Sequence, residues 1–321
     1  MPQFRPYHRL LVADIGGTHC RYALVDPFVT PFPLQDVRRA STADFSSFAE
    51  LASFMLHDVT QTAQRPDVAI LAVPGSVVTP GRALCPNVPW PVDVCSAPEL
   101  PTQTWLINDL VAQGWSCLAP EGQLLQTVLS PPLPISPHIR KIQAVVGPGT
   151  GLGACIVVSE SGRPFVLASE LGHTLFPLRP DEAAFAAFAQ GRGERLDSDH
   201  LLSGRGLSTL HAFFTGQELS PQDVAACMYN TPVAEWYARF LGRLCQSFAL
   251  TTLCLDGLYV CGGVVAANIG LLRHPAFAEA FYDCPAQASI LRAVSVYLVG
   301  NTDSALCGAI IYARQHMTSL S

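Results

Sequence analysis

The residues best suited to chemistry lie in two short glycine-rich turns, Asp14-Ile15-Gly16-Gly17-Thr18 and Gly147-Pro148-Gly149-Thr150-Gly151-Leu152-Gly153. Strand-like residues follow each of them, at 20–25 after the first and 154–158 after the second. A glycine turn that closes a hairpin can leave several backbone N–H groups unpaired and aimed at one point, which makes an anion nest. Two such nests in one chain suit a polyphosphate. Each alone also reads as an ordinary hairpin with glycine at positions of positive φ. A polar pair, Asn108-Asp109, closes the strand-like run 105–107 just before a helical segment, where open α/β sheets hold their ligands.

Other uses of these glycines fail on their flanks. Gly149 to Ala154 fits the loose dinucleotide pattern G-x-G-x-x-A, but that pattern needs a helix directly after the turn. The β-branched residues Ile156, Val157 and Val158 oppose one. A P-loop needs a lysine behind its glycines, and Lys141 is the only lysine in the chain. Protein-kinase chemistry, which needs a strand lysine after its glycine loop, is removed with it.

The elements that must hold these residues follow from periodicity. Residues 10–15 and 20–25 form a first hairpin, 46–56 carries apolar residues at helical spacing, and 68–73 is a continuous apolar run that predicts a buried strand. The strand at 105–107 leads through Asn108-Asp109 into a helix over 110–118. A loop at 130–138 holds four prolines, after which 142–146, the second turn and 154–158 repeat the hairpin. Helices are expected at 182–190, 304–315 and 234–250, the last marked by Trp236, Phe240, Leu244 and Phe248 at every fourth position. Strands are expected at 257–261, which runs into Gly262-Gly263, and at 294–299. A glycine-turn hairpin that twice opens a sheet alternating with helices predicts two similar α/β domains.

Composition agrees with that plan. At 321 residues the chain is long for one core. Charged residues make up 14% and hydrophobic ones 49%, as in a globular enzyme. A formal net charge of -6, with only Arg38-Arg39 and Arg140-Lys141 as basic doublets, argues against nucleic acid as a partner. The 11 cysteines show no Cys-x-x-Cys spacing and no Cys/His cluster, so neither zinc nor a disulfide framework is indicated. Their odd number fits reduced thiols in a cytosolic protein. The apolar core at 10–13 is too short for a signal peptide, and no segment has the length of a membrane span.

The motifs Asp14-Ile-Gly-Gly-Thr18, Ile107-Asn-Asp109, Gly149-Thr-Gly-Leu-Gly153, Glu170-Leu-Gly-His173, Leu202-Ser-Gly204 and Cys261-Gly-Gly263 stand in one register. In order and spacing, from about residue 10 to about residue 312, the chain resembles the bacterial glucokinase family of actin-like sugar kinases. The resemblance implies two actin-like, ribonuclease H-like α/β domains facing each other across a cleft. The smaller would comprise 1–109 plus 303–321 and the larger 110–302. It further implies a cytoplasmic, Mg²⁺-dependent enzyme that moves the γ-phosphoryl group of ATP to the 6-hydroxyl of glucose. A homodimer is implied, with neither nucleic acid nor membrane as partner.

Phosphoryl transfer to a sugar needs an in-line hydroxyl, a base beside it, and fixed N–H or cationic groups around the phosphates. The resemblance makes Asp109 the base. An ordinary carboxyl pKa of about 3.9 would leave it ionised but weakly basic at neutral pH. Asp109 also reads as the N-cap of the following helix. Asn108, Asn87, Glu170 and His173 are implied to hold the sugar; without the resemblance, Glu170 reads as a surface residue and His173 as a core histidine. Asp14 would orient water on Mg²⁺, or else is a turn aspartate. Gly16, Gly17 and Thr18 would face the β- and γ-phosphates, with Gly149, Thr150 and Gly151 as the opposite nest. Gly262 and Gly263 would let adenine or ribose approach the backbone, or else serve close helix–strand packing. Arg21 reads equally as a phosphate neighbour or a hairpin surface residue.

Three positions depart from the family pattern. His19 stands where Asn commonly follows Gly-Gly-Thr, and Leu171 replaces a usual Gly. Asp199 occupies the place of a sugar-binding Glu, with reach shorter by roughly 1.5 Å. A hydrogen bond lost from a charged group is worth about 1.5–3 kcal/mol. These departures keep in view a kinase for another hexose or amino sugar, and a non-catalytic sugar sensor on the same scaffold.

Overall fold

The run Leu10-Leu-Val-Ala-Asp-Ile forms strand β1 (Leu10–Ile15), and the glycine turn returns the chain antiparallel as β2 (His19–Val25). β3 (Arg38–Ser41) continues the meander, and α1 (Phe48–Thr60) follows behind Ser47, whose hydroxyl accepts the Glu50 N–H. The fully buried β4 (Val68–Val73) joins β1 in parallel. A small antiparallel sheet of β5 (Ser76–Thr79), β6 (Arg82–Leu84) and β7 (Val92–Asp93) comes next. β8 (Gln103–Asn108) then pairs parallel with β4 and runs directly into α2 (Asp109–Ser116).

The chain continues through β9 (Gln126–Leu129) to a second meander, β10 (Arg140–Pro148), β11 (Leu152–Glu160) and β12 (Arg163–Ser169). Helices α3 (Ala183–Gly191), α4 (Ser198–Leu201), α5 (Gly204–Thr215), α6 (Pro221–Cys227) and α7 (Pro232–Thr252) precede β13 (Leu258–Val260). Short helices α8 (Gly263–Ala267), α9 (Gly270–Arg273), α10 (Pro275–Tyr282) and α11 (Ala288–Leu291) lead to β14 (Val296–Leu298). Helix α12 (Ser304–Met317) follows.

The structure, a computed structural model, describes residues 9–29, 34, 36–61, 64–119, 124–131 and 140–317. They fall into two compact units, Met1–Gln123 with Asn301–Ser321, and Leu124–Gly300. The first unit runs past Asp109 because α2 packs along α12 and belongs with it. Of the proline-rich stretch expected as a loop, residues 132–138 lie outside the described residues.

The sheet of the first unit has the order β3-β2-β1-β4-β8. In the second unit, β12-β11-β10-β13-β14 repeats that order and those strand directions, and β9 adds an antiparallel edge strand. The repeat expected from the two hairpins is therefore present strand for strand. In the first unit the sheet is buried on both faces, as parallel strands require. Alternation along β1 sends Leu11, Ala13 and Ile15 against Phe48, Leu51 and Met55 of α1, and Leu10 and Val12 against Leu306, Ala309 and Ile310 of α12.

The second unit packs Ala144, Val146 and Ala154 of its sheet against Tyr237, Phe240, Leu241 and Leu244 of α7. Within this core Arg243 meets the fully buried Glu182 through two hydrogen bonds, one of 2.9 Å, and donates to the Pro177 carbonyl at 2.7 Å. Its guanidinium lies 5.4 and 5.5 Å from the ring centres of Phe176 and Phe240. Such a pair contributes little net stability, but removing one partner strands a buried charge. Among the described residues no helix is long and apolar enough to cross a membrane.

Candidate active site

The first glycine turn spends one of its own donors. Gly16 N–H donates to the His19 carbonyl at 2.9 Å, while the N–H groups of Gly17 and Thr18 meet no acceptor among the described residues. Buried Thr42, just after β3, braces the turn: its N–H donates to Thr18 O at 2.9 Å and its hydroxyl to Gly16 O at 2.8 Å. Gly17 must be glycine, because a Cβ there would run into the Asn87 carbonyl. Exposed Asn87 lies in the turn between β6 and β7, so the small sheet buttresses the glycine turn through its backbone.

Strand alternation puts Asp14 on the α12 side of the sheet, after Leu10 and Val12. Directly across β1 and β2, Arg21 Nη2 donates to Asp14 Oδ2 at 2.6 Å. Arg21 also donates to the Thr302 carbonyl and lies 3.4 Å from Asp303 Oδ1, so it is neither a free surface residue nor an unpaired cation. Burial raises the Asp14 pKa, and the Arg21 charge opposes that rise. A cavity of about 600 Å³ opens here, with Asp14, Gly16, His19, Arg21, Arg39 and Thr302 among its lining residues.

Among the described residues no group of three or more His, Cys, Asp or Glu side chains could hold a metal by itself. Mg²⁺ bound with a nucleotide needs only one or two carboxylates beside the phosphates. Asp14 fits that demand, since its Oδ1 makes no hydrogen bond among the described residues.

At the carboxyl end of β8 the cap is Asn108 rather than Asp109. Asn108 Oδ1 accepts the N–H groups of Leu110 and Val111 at 2.9 and 3.1 Å, and its Nδ2 donates to Gly75 O at 2.9 Å. Asp109 opens α2, half-buried, with Oδ1 accepting the Leu110 N–H at 2.8 Å. Burial first and the negative charge of Asp14 second push its carboxyl up to about 7, against hydrogen bonds from Leu110, its own N–H and Asn108. The ordinary carboxylate value expected from the sequence does not hold. A carboxyl raised this far is matched to proton transfer near neutral pH, the range that general-base chemistry requires.

In the second unit the Gly149 N–H donates to Gly151 O at 2.7 Å, and Gly204 N–H at the start of α5 donates to Gly149 O at 2.9 Å. The N–H groups of Thr150 and Gly151 meet no acceptor among the described residues. Asp199 does not simply extend into solvent: its Oδ1 accepts the Leu152 N–H at 2.6 Å and lies against Gly151. Its Cβ also approaches Gly172, at 3.5 Å from where a Cβ there would lie. The Asp199 side chain thus hydrogen-bonds the second glycine turn and packs beside the Glu170–His173 segment.

Glu170 and His173 flank a single helical turn after β12, with side chains 73% and 62% exposed and Glu170 Oε2 3.9 Å from His173 Nε2. His173 is therefore not the core histidine that its sequence context alone allows. Leu171 between them packs on the core of the unit. The two glycines after β13 differ. Gly262, at φ +91°, sits so close to the Pro148 carbonyl that helix–strand packing accounts for it. Gly263 has nothing within 4 Å of a Cβ position and stays open to a ligand.

Thr42, Arg39 and Thr302 escaped the sequence reading. Each reaches the first turn through strand register or through the return of α12, which no local pattern announces.

The glucokinase family model matches residues 11–316. A glucokinase of Stenotrophomonas maltophilia (strain K279a) is 30% identical over 321 residues, covering 95% of this chain and 94% of that one. The crystal structure of a glucokinase from an Antarctic psychrotroph has a TM-score of 0.77 at 24% identity, over 96% of this chain and 99% of that chain. For glucokinase from Balamuthia mandrillaris in complex with glucose the TM-score is 0.77 at 19% identity, over 95% and 92% of the two chains. These likenesses are of fold, and they bear out the expected two-domain, actin-like α/β architecture. Joined to a family match across nearly the whole sequence, they settle the family: the chain belongs to the glucokinases.

Proposed function

We propose that this chain phosphorylates D-glucose at its 6-hydroxyl, with ATP as donor and Asp109 as general base. The observation that carries this reading is a carboxyl at the end of β8, fixed at a helix start and pushed up to about 7. Oδ1 of Asp109 is held by the Leu110 N–H, which leaves Oδ2 to take the hydroxyl proton. As that proton moves, the sugar oxygen forms its bond to the γ-phosphorus, the bond to the bridging oxygen breaks, and ADP leaves with the electron pair.

The cap bonds preorganise the Asn108 side chain beside Asp109, where it would meet a sugar hydroxyl. Asn87, Glu170, His173 and Asp199 are further sugar-binding candidates, carboxylate and imidazole being suited to a polyol. Gly17 and Thr18 would give N–H groups to phosphate oxygens with Gly16 shaping the turn, and Thr150 and Gly151 would do so beside Gly149. Gly263 would admit the adenosine, with Gly262 holding its backbone in place. Mg²⁺, when bound, neutralises phosphate charge, and Asp14 would hold it through water. The family resemblance supports a cytoplasmic homodimer with neither nucleic acid nor membrane as partner.

Asp109→Asn tests the reading. It should lower kcat by roughly 10²–10⁴-fold, while affinity for a non-hydrolysable ATP analogue stays within about twofold. More than a few per cent of the wild-type rate would remove Asp109 as the base.

One observation favours a second reading, a kinase for another hexose or amino sugar. The Leu152 N–H already occupies one oxygen of Asp199, where the family places a longer sugar-binding carboxylate. A panel of sugars with Mg-ATP decides: a higher kcat/KM for mannose or glucosamine than for glucose would establish it.

A further inference from the structure

A chain with a single lysine must find its phosphate-binding cations among arginines and histidines. Across β2 and β3 the register sets Arg21 opposite Arg39 and His19 opposite Ser41, so all four project from one face of the sheet. Like charges directly opposite each other are destabilising unless something answers them. For Arg21 the answer is present in Asp14 and Asp303. Arg39 makes no hydrogen bond and no ion pair among the described residues, and it faces the cavity beside the first glycine turn.

We propose that Arg39, with His19 and Ser41, grips the terminal phosphate of the donor seated at the first glycine turn. The inference rests on the kinase reading above and adds residues that distinguish this chain by its own sequence. A guanidinium, an imidazole and a hydroxyl, beside the open N–H groups of Gly17 and Thr18, make a donor set with few acceptors among them. The planar fork of Arg39 can give two parallel N–H bonds to phosphate oxygens, which a lysine cannot. The carboxylates nearby do not compete for it, because Asp14 and Asp303 both face Arg21. A cavity of about 600 Å³ has room for a polyphosphate chain. His19, which departs from the family's usual Asn, gains a purpose on this wall.

The test compares wild type, Arg39→Gln, Arg39→Lys and His19→Asn by calorimetry with AMP, ADP and the non-hydrolysable analogue AMPPNP, alongside steady-state kinetics. Arg39→Gln should weaken AMPPNP by roughly tenfold to a hundredfold and leave AMP within about twofold, a loss that grows with the phosphate chain. KM for glucose should not move, and Arg39→Lys should recover only part of the affinity. His19→Asn should show the same pattern at smaller size. Equal losses for AMP and AMPPNP, or AMPPNP affinity unchanged in Arg39→Gln, overturn the inference while leaving the kinase reading intact. If Arg39→Gln abolishes inhibition by inorganic phosphate but not AMPPNP binding, the wall serves a separate anion and the donor assignment falls. A wild-type protein that binds no adenine nucleotide overturns both.

Discussion

The two glycine turns sit at equivalent places in sheets of the same strand order, and in each one glycine, Gly16 or Gly149, spends its N–H inside the turn. They are fastened by opposite chemistry. Around the first, a hydroxyl and an amide of Thr42 hold the turn's carbonyls, and the adjoining strands present arginines. Around the second, the Asp199 carboxylate takes the N–H of Leu152. The Leu152 N–H is thereby spent, whereas beside the first turn Arg39 makes no hydrogen bond or ion pair among the described residues. One repeated backbone device thus has two unequal settings, and if both turns hold phosphate as proposed, the first should contribute more of the affinity.

The largest expected effect concerns pH, because Asp109 belongs to the unit of the first turn and shares its field with Asp14. A base with its pKa raised to about 7 is lost by protonation as pH falls. We expect kcat/KM for glucose to drop about tenfold per pH unit below that point and to level off above it. Asp14→Asn removes a charge that raises the Asp109 pKa, so the limb should move to lower pH; a limb that stays in place would show that Asp14 does not set it.

Next in size, Gly17→Ala should weaken AMPPNP about tenfold or more, since its Cβ meets the Asn87 carbonyl, while Gly149→Ala, whose Cβ would make only an ordinary contact 3.8 Å from Gly151 O, should stay within about twofold. Equal effects would erase the inequality between the turns.

The smallest effects measure the fastenings themselves. By urea unfolding, Asp199→Ala should cost about 1.5–3 kcal/mol, the range for a hydrogen bond to a charged group, and Asp199→Asn should recover much of it. Thr42→Val removes a neutral hydrogen bond and should cost about 0.5–1.5 kcal/mol. The reverse order would mean that the carboxylate is not the stronger clasp.

Much of this arrangement could be read before any coordinates. β1 and β4 announce themselves as apolar runs between polar ends, and α7 shows its buried face at every fourth residue. The turns and Asn108-Asp109 are local in sequence, so they were legible too. Arg38-Arg39 looks like a surface doublet because β3 is a polar edge strand, and only pairing with β2 shows where Arg39 points. The small sheet behind Asn87 has strands too short to carry a period. The raised pKa of Asp109 depends on what surrounds it in space, burial first and then the charge of Asp14, distant in sequence, and no spacing rule encodes that.

Helix α12 carries a temporal consequence. Leu306, Ala309 and Ile310 roof one face of a sheet whose first strand holds Leu10 and Val12, so the cover of that face, begun by Ala112 of α2, stays incomplete until α12 is made. On the ribosome, which adds roughly 5–20 residues per second, the segment Leu124–Gly300 is complete before those roofing residues emerge. The order of maturation is thereby inverted: the unit begun first must finish last, holding bare apolar strands that a chaperone can recognise. A force profile from arrested nascent chains should show the second unit folding before the first, and the opposite order would mean that the sheet can close without its roof.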